Sequence, residues 1–253
     1  MRVLEALRVY QVQLEADGRS LHTVKQAERH VKLFATWAHD PPLADVDHEL
    51  VARFLASDVV RERADGGPRK ASSSNAIRSS VRAFFAFAHG AGYTATNAAR
   101  LVRRARTRAP GPKALSDVDA AKLLAVLAEA TTTIERRDRA MFLVMLRCGL
   151  RLGSALGLDV EDVDFGAREL VLRSIKGGGE ASAVLPDDIA AVLREHIGDR
   201  TSGPVFVGAG GERIGARHAR RRLAECAKRA GVAGGVHPHQ LRHSFGQGLY
   251  LRT

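Results

Sequence analysis

Residues 237–245 read His237-Pro238-His239-Gln240-Leu241-Arg242-His243-Ser244-Phe245, and the sequence runs only to Thr253. Three imidazoles and one guanidinium fall within seven residues at the mouth of what the pattern reads as an amphipathic helix. Helical spacing sets His239, Arg242 and His243 one turn apart on neighbouring positions. An arginine there offers a planar fork suited to phosphate, and histidine can move a proton near neutral pH.

The rest of the chain bounds what such a segment serves. With 253 residues there is length for one large domain or two moderate ones. A hydrophobic content of 45% with 26% charged residues is ordinary for a soluble globular protein. A net charge of +11 is not ordinary and favours a polyanionic partner. Cys148 and Cys226, the only two cysteines, sit in apolar helical contexts, which suits reduced structural thiols in a cytoplasmic protein. Glu5 interrupts the N-terminal segment, so no signal peptide is read, and the longest apolar run, Ala140 to Leu146, cannot span a bilayer. The expectation is no membrane association.

Residues 101–113 carry Arg103, Arg104, Arg106 and Arg108, then Pro110-Gly111-Pro112. Prolines around a glycine cannot continue a helix, so this stretch predicts a basic linker between two domains, 1–100 and 114–253. Those four arginines are candidate DNA contacts.

The first region is helical throughout. Leu4, Leu7 and Leu14 predict a helix ending near Gly18. Ser20 caps a second with Val24, Ala27, Val31, Phe34 and Ala38 on one face. Val51, Phe54 and Leu55 mark a third, ending before Asp65-Gly66-Gly67-Pro68. Ile77, Val81, Phe84, Phe85 and Ala88 mark a fourth, ending near Gly90. The Phe84-Phe85-x-Phe87 cluster could stack bases, but its helical spacing reads as bundle core.

After the linker, Ser116-x-x-Asp119 starts a helix through Leu127, and Asp138 to Leu150 reads as another. The period then changes. Val160 to Phe165, Leu170-Val171-Leu172 and Ala183-Val184-Leu185 predict a small antiparallel meander, with Lys176 at the lip of the Gly177-Gly178-Gly179 turn. Residues 217–230 return to helix, and His239 opens the last one. The fold class is therefore mainly α: an N-terminal four-helix domain, then a mostly helical domain with a three-stranded antiparallel sheet.

Three basic features recur in order in the second region: Cys148-Gly149-Leu150-Arg151, Lys176, and His239-x-x-Arg242. Singly each has a plain explanation. The arginine could cap helix carbonyls, and a lysine in a glycine-rich hairpin is usually solvated. Together they resemble the tyrosine recombinase (phage integrase) family. Residues 148–158 are similar to its first-arginine motif, the Lys176-Gly177 hairpin resembles its lysine turn, and residues 237–243 match its H-x-x-R motif. The N-terminal region resembles the family's core DNA-binding domain in its Ser20-x-x-Thr23, Phe34-x-x-Trp37 and Phe84-Phe85-x-Phe87-Ala88 pattern. The style resembles bacterial chromosome-dimer-resolving or mobile-element integrases.

The resemblance implies site-specific breakage and rejoining of double-stranded DNA through a 3′-phosphotyrosine, by a tetramer on paired sites, without metal or cofactor. A partner recombinase could share the assembly. Arg151 and Arg242 would face the non-bridging phosphate oxygens, Lys176 would protonate the leaving 5′ oxygen, and His239 would assist the attacking hydroxyl. His243 is expected to pack or to support these groups rather than touch phosphate.

Two departures stand out. The family's nucleophilic tyrosine follows the H-x-x-R motif by about 20 to 35 residues, whereas 11 residues follow Arg242 here. Tyr250 reads as core, and Tyr10 and Tyr93 lie in the first region, so the expectation is a chain truncated before its nucleophile. Ser154 stands where the family carries an acidic residue, which would leave Arg151 less firmly held. Three alternatives accompany this reading: a non-catalytic DNA-binding remnant, a basic RNA-binding module, and a metal site on His237, His239 and His243. The last lacks an H-E-x-x-H arrangement or a nearby cysteine.

Overall fold

The computed structural model describes residues 1–105, 114–173 and 181–248. It divides into two compact units, Met1–Ala109 and Pro110–Thr253.

In the first unit, apolar residues recurring at helical intervals build the elements. Helix α1 (Val3–Ala16) buries Val3, Ala6, Leu7, Tyr10 and Leu14. Helix α2 (Leu21–Trp37) starts at Ser20, whose hydroxyl accepts the Thr23 N–H at 3.3 Å. The expected third helix is two pieces, α3 (His48–Ala56) and the single turn α4 (Asp58–Arg61). They part at Ser57, whose extended backbone (φ −72°, ψ 160°) ends one and precedes the other. Helix α5 (Ala71–Gly90) closes the bundle.

Rings set the packing. Phe34 meets Phe85 edge-on at 5.4 Å and Phe54 at 5.2 Å, while Tyr10 meets Phe84 at 5.7 Å. Phe84 and Phe85 are buried, and Phe87 lies between Tyr10 and Tyr93, so the cluster is core. His30, Ser74 and Asn75 are the buried polar groups among the described residues of this unit. His30 on α2 joins Ser80 on α5 through Nδ1 at 2.8 Å, and burial beside Arg29 and Arg69 lowers its pKa to about 4.

The second unit is organised around α7 (Thr133–Arg147), which packs against α6 (Asp117–Ala128), α8 (Leu152–Gly157), α9 (Asp187–Ile197), α10 (Ala216–Arg229) and α11 (Pro238–Gly246). Ala140 to Leu146 forms its middle, and all but the partly buried Leu143 are fully buried, as a helix enclosed by neighbours requires. Helix α7 begins five residues before the expected Asp138, because Thr132 and Glu135 form a reciprocal capping box. Backbone N–H groups of Thr132 and Thr131 bind the Glu135 carboxylate and lower its pKa to about 2. The helix stops at Arg147 rather than Leu150, since Gly149 turns left-handed at φ 68°.

The sheet runs β1 (Val163–Asp164), β2 (Glu169–Leu172), β3 (Ala181–Val184), antiparallel throughout, with Val163 opposite Leu170 and Leu170 opposite Ala183. Its first strand is shorter than the pattern suggested, because Val160–Asp162 winds into a 3₁₀ turn. Helix α9 stands in a segment to which the sequence reading assigned no element.

Buried charge and guanidinium-to-carbonyl bonds hold the second unit. Asp138, 1% exposed, accepts from Arg137 at 2.7 Å and from Arg222 of α10 at 2.5 Å. Arg137 also donates to the Val207 carbonyl, Arg200 to those of Pro204 and Val205, and Arg213 to those of Leu156 and Leu158. No described helix is long and apolar enough to cross a membrane.

Candidate active site

Arg151 stands at the N-cap of α8, two residues beyond the left-handed Gly149. Its side chain is exposed, and it makes no hydrogen bond or ion pair among the described residues. The carbonyl-capping explanation therefore does not apply to it. Ser154, one turn on, is half-buried and lines the same cleft without reaching the guanidinium.

Arg242 comes from α11. At its start the Gln240 side chain accepts the His237 N–H at 2.8 Å, and Pro238 fills the first turn. Leu241 and Ser244 face inward, and the Ser244 hydroxyl accepts the Leu115 N–H at 2.9 Å. That anchoring leaves Arg242 half-buried, with Nη1 donating to the Gly149 carbonyl at 2.5 Å.

Arg151, Arg242 and His243 line one cleft of about 930 Å³, together with the facing ends of β2 and β3 at Leu172 and Ala181. None of its described lining residues is acidic. Burial lowers the Arg242 pKa, and the positive charge of Arg151 lowers it further. Arg147 lines the cleft as well, paired with Asp188, so the guanidiniums of Arg151 and Arg242 face a cleft with no carboxylate among its described lining residues, an arrangement suited to an anion.

His239 is exposed at the first turn of α11, with its ring centroid 6.1 Å from that of His243. His243 is exposed in the cleft, so of its two expected roles packing does not apply. Lys176 lies outside the described residues, as do Arg106, Arg108 and Tyr250. Arg103 and Arg104 are exposed at the end of the first unit, and Arg103 borders a groove there with Arg61 and Arg78. Tyr10 and Tyr93 are packed in that unit's core. No cluster of three metal-binding side chains occurs among the described residues.

Cys148 lines the cleft but is buried, and that burial pushes its thiol pKa up to about 12. The sequence reading did not anticipate two contacts, the Gly149 carbonyl on Arg242 and the Phe245 ring on Gly149. The available signal was the i, i+3 spacing of Arg242 and Phe245, which puts both on one face.

Comparison with known proteins places this geometry in context. The phage integrase family pattern matches residues 114–252, and the phage integrase N-terminal SAM-like domain matches residues 7–92. Tyrosine recombinase XerC of Chromobacterium violaceum is 32% identical over 246 residues, covering 95% of this chain and 79% of the relative. The XerC of Vibrio parahaemolyticus is 33% identical over 251 residues, covering 94% and 77%. A crystal structure of a lambda integrase dimer bound to a COC′ core site (residues 75–356) aligns with TM-score 0.75 at 20% identity, covering 100% of this chain and 90% of that one. A lambda integrase tetramer bound to a Holliday junction aligns at 0.74 with 21% identity, covering 100% and 74%. At such identity the structural matches speak to the fold.

Proposed function

This chain belongs to the phage integrase family of tyrosine recombinases, and from that premise we propose that it acts in site-specific breakage and rejoining of double-stranded DNA. The observation carrying this reading is the pair Arg151 and Arg242 on one cleft without a carboxylate among its described residues. Attack on a phosphodiester builds negative charge on the non-bridging oxygens. Two guanidiniums held at that point stabilise the charge as it forms. Burial and then the charge of Arg151 lower the Arg242 pKa, and an anion bound between the two relieves their repulsion.

Around this pair, His239 takes the proton of the attacking hydroxyl, and Lys176 gives one to the leaving 5′ oxygen. In this family the hydroxyl is a tyrosine's, and the phosphotyrosine bond conserves the energy needed for rejoining. Tyr10 and Tyr93 are committed to packing in the first unit. The helical first unit grips the duplex, with Arg103, Arg104, Arg106 and Arg108 adding phosphate contacts in the linker. Four protomers on two paired sites, alone or with a second recombinase, make the working assembly.

The test begins by selecting bound duplexes from a random library, then measuring strand exchange between two copies of a selected duplex by a completed protein that carries the nucleophilic tyrosine. Arg242→Ala is expected to abolish exchange while duplex affinity stays within a few-fold. Binding with no exchange by the wild-type protein would favour a DNA-binding protein that does not cut. Equal loss of affinity and exchange in the variant would make Arg242 structural. Affinity is also expected to fall steeply with salt, as contacts to phosphate require.

A further inference from the structure

Arg242 and Phe245 lie three residues apart on α11, so they share a face. Both meet the same residue. Arg242 donates to the Gly149 carbonyl, and the Phe245 ring occupies the space where a side chain on Gly149 would begin. A Cβ built on Gly149 would sit 2.3 Å from Phe245 Cδ1 and 2.7 Å from Cε1, closer than any side chain tolerates. The backbone of Gly149 is also left-handed at φ 68°, so glycine is required there on two counts.

Phe245 is nonetheless 48% exposed, which is poor use of a large ring if its purpose were burial alone. Its ordered neighbour is the turn that leads, two residues later, into Arg151. One turn thus carries Arg151 directly and Arg242 through its carbonyl. The spacing between the two guanidiniums depends on where that peptide plane lies. Nothing acidic among the cleft's described lining residues holds either arginine against their repulsion. Among the described residues, the group that orients Arg242 is the Gly149 carbonyl.

We propose that Phe245 is a positioning residue: its ring clamps the Gly149 turn so that the Gly149 carbonyl aims Arg242 at the anion shared with Arg151. This inference rests on the phosphodiester reading of the cleft, and it assigns Phe245 no contact with the phosphate.

The decisive variant is Phe245→Leu, which keeps an apolar side chain but not a flat ring, with Phe245→Tyr as the conservative rescue. The first measurement needs no recombination. In nitrogen-15 NMR of the full chain, the Arg242 guanidinium, identified by its loss in Arg242→Lys, is expected to rotate slowly in the wild-type protein. It should rotate slowly in Phe245→Tyr and freely in Phe245→Leu, with the thermal midpoints of all three proteins alike. The second measurement is single-turnover strand exchange by the completed protein that carries the nucleophilic tyrosine. Phe245→Leu should lose about 100-fold in rate, the scale of a misplacement near 1 Å, with duplex affinity unchanged, and Phe245→Tyr should recover it. A restrained guanidinium in Phe245→Leu would overturn the proposal. So would a lower thermal midpoint that accounts for the lost rate. Absence of exchange in the wild-type protein would instead count against the recombinase reading, while the NMR comparison would still decide the role of Phe245.

Discussion

The two units solve the same problem, a stable helical core, with different materials. The first is held by rings: Phe34, Phe54, Phe84 and Phe85 interlock, and among its described residues only His30, Ser74 and Asn75 are buried polar groups. The second has a core of leucine, methionine and alanine into which charge has been admitted at Arg137, Asp138 and Asp162. Aromatic packing tolerates replacement by groups of similar volume, whereas a buried ion pair tolerates the loss of neither partner. The difference also changes what the net charge of +11 means. Arg137, Arg200, Arg213 and Arg242 all bind backbone carbonyls of their own unit, so part of the basic character is structural rather than a signal for DNA.

Removing one partner from the ion network should break the contrast most sharply. Asp138→Ala leaves Arg137 and Arg222 without their shared carboxylate and is expected to cost about 4 kcal/mol. Trp37 is the chain's only tryptophan and sits in the first unit, so its fluorescence reports that unit alone. The loss should appear as faster hydrogen exchange across α7, with the urea midpoint of Trp37 unmoved. A large shift at Trp37 would mean that the units do not unfold independently.

The second effect belongs to the first unit and depends on pH. His30 is buried neutral with its pKa lowered from 6.5 to about 4, so the unfolded chain takes up the proton first as pH falls. Stability is then complete above pH 6.5 and declines as pH drops towards 4, by about 1.4 kcal/mol per pH unit. The Trp37 urea midpoint should fall between pH 7 and pH 5 in the wild-type protein, and His30→Gln should flatten that slope. Parallel slopes in the two proteins would remove His30 as the cause.

Phe84→Leu tests the tolerance of the ring core. It is expected to cost about 1–2 kcal/mol, well below the Asp138 change, because an apolar side chain of similar reach can repack. A cost equal to that of Asp138→Ala would erase the distinction between the cores. The smallest effect is a null one: Cys148, buried with its thiol pKa raised to about 12, should resist iodoacetamide at pH 8 in the native protein. Rapid alkylation would mean that the cleft wall opens.

What was legible in the sequence follows the range of the interaction that made each element. Caps at Ser20 and Ser116 act over three residues and were read correctly, as was the helical spacing that buries Phe84 and Phe85. Local signals were also passed over. The Thr132–Glu135 box starts α7 early, and Ile189, Leu193 and Ile197 repeat on one face of α9. Arg151 and Arg242 were found through motif order, but what holds Arg242 could not be found that way. Gly149 lies 93 residues from Arg242, and Leu115 lies 129 from Ser244. Periodicity is blind at such separations, and only the folded backbone brings those partners together.

The pair of bonds from Arg213 to the end of α8 has a consequence for synthesis. A six-residue helix does not persist alone in water, and the bonds holding its far end come from Arg213, 57 residues later. The hydrogen bond that seats α11 spans 129 residues. The first unit, built from nearby helices, can condense as it leaves the ribosome at roughly 5–20 residues per second. Arg151 is translated early in the second unit, well before Arg242, which lines the same cleft. A nascent chain therefore acquires its bundle well before its two cleft arginines come together, and the order of the gene keeps the two events apart.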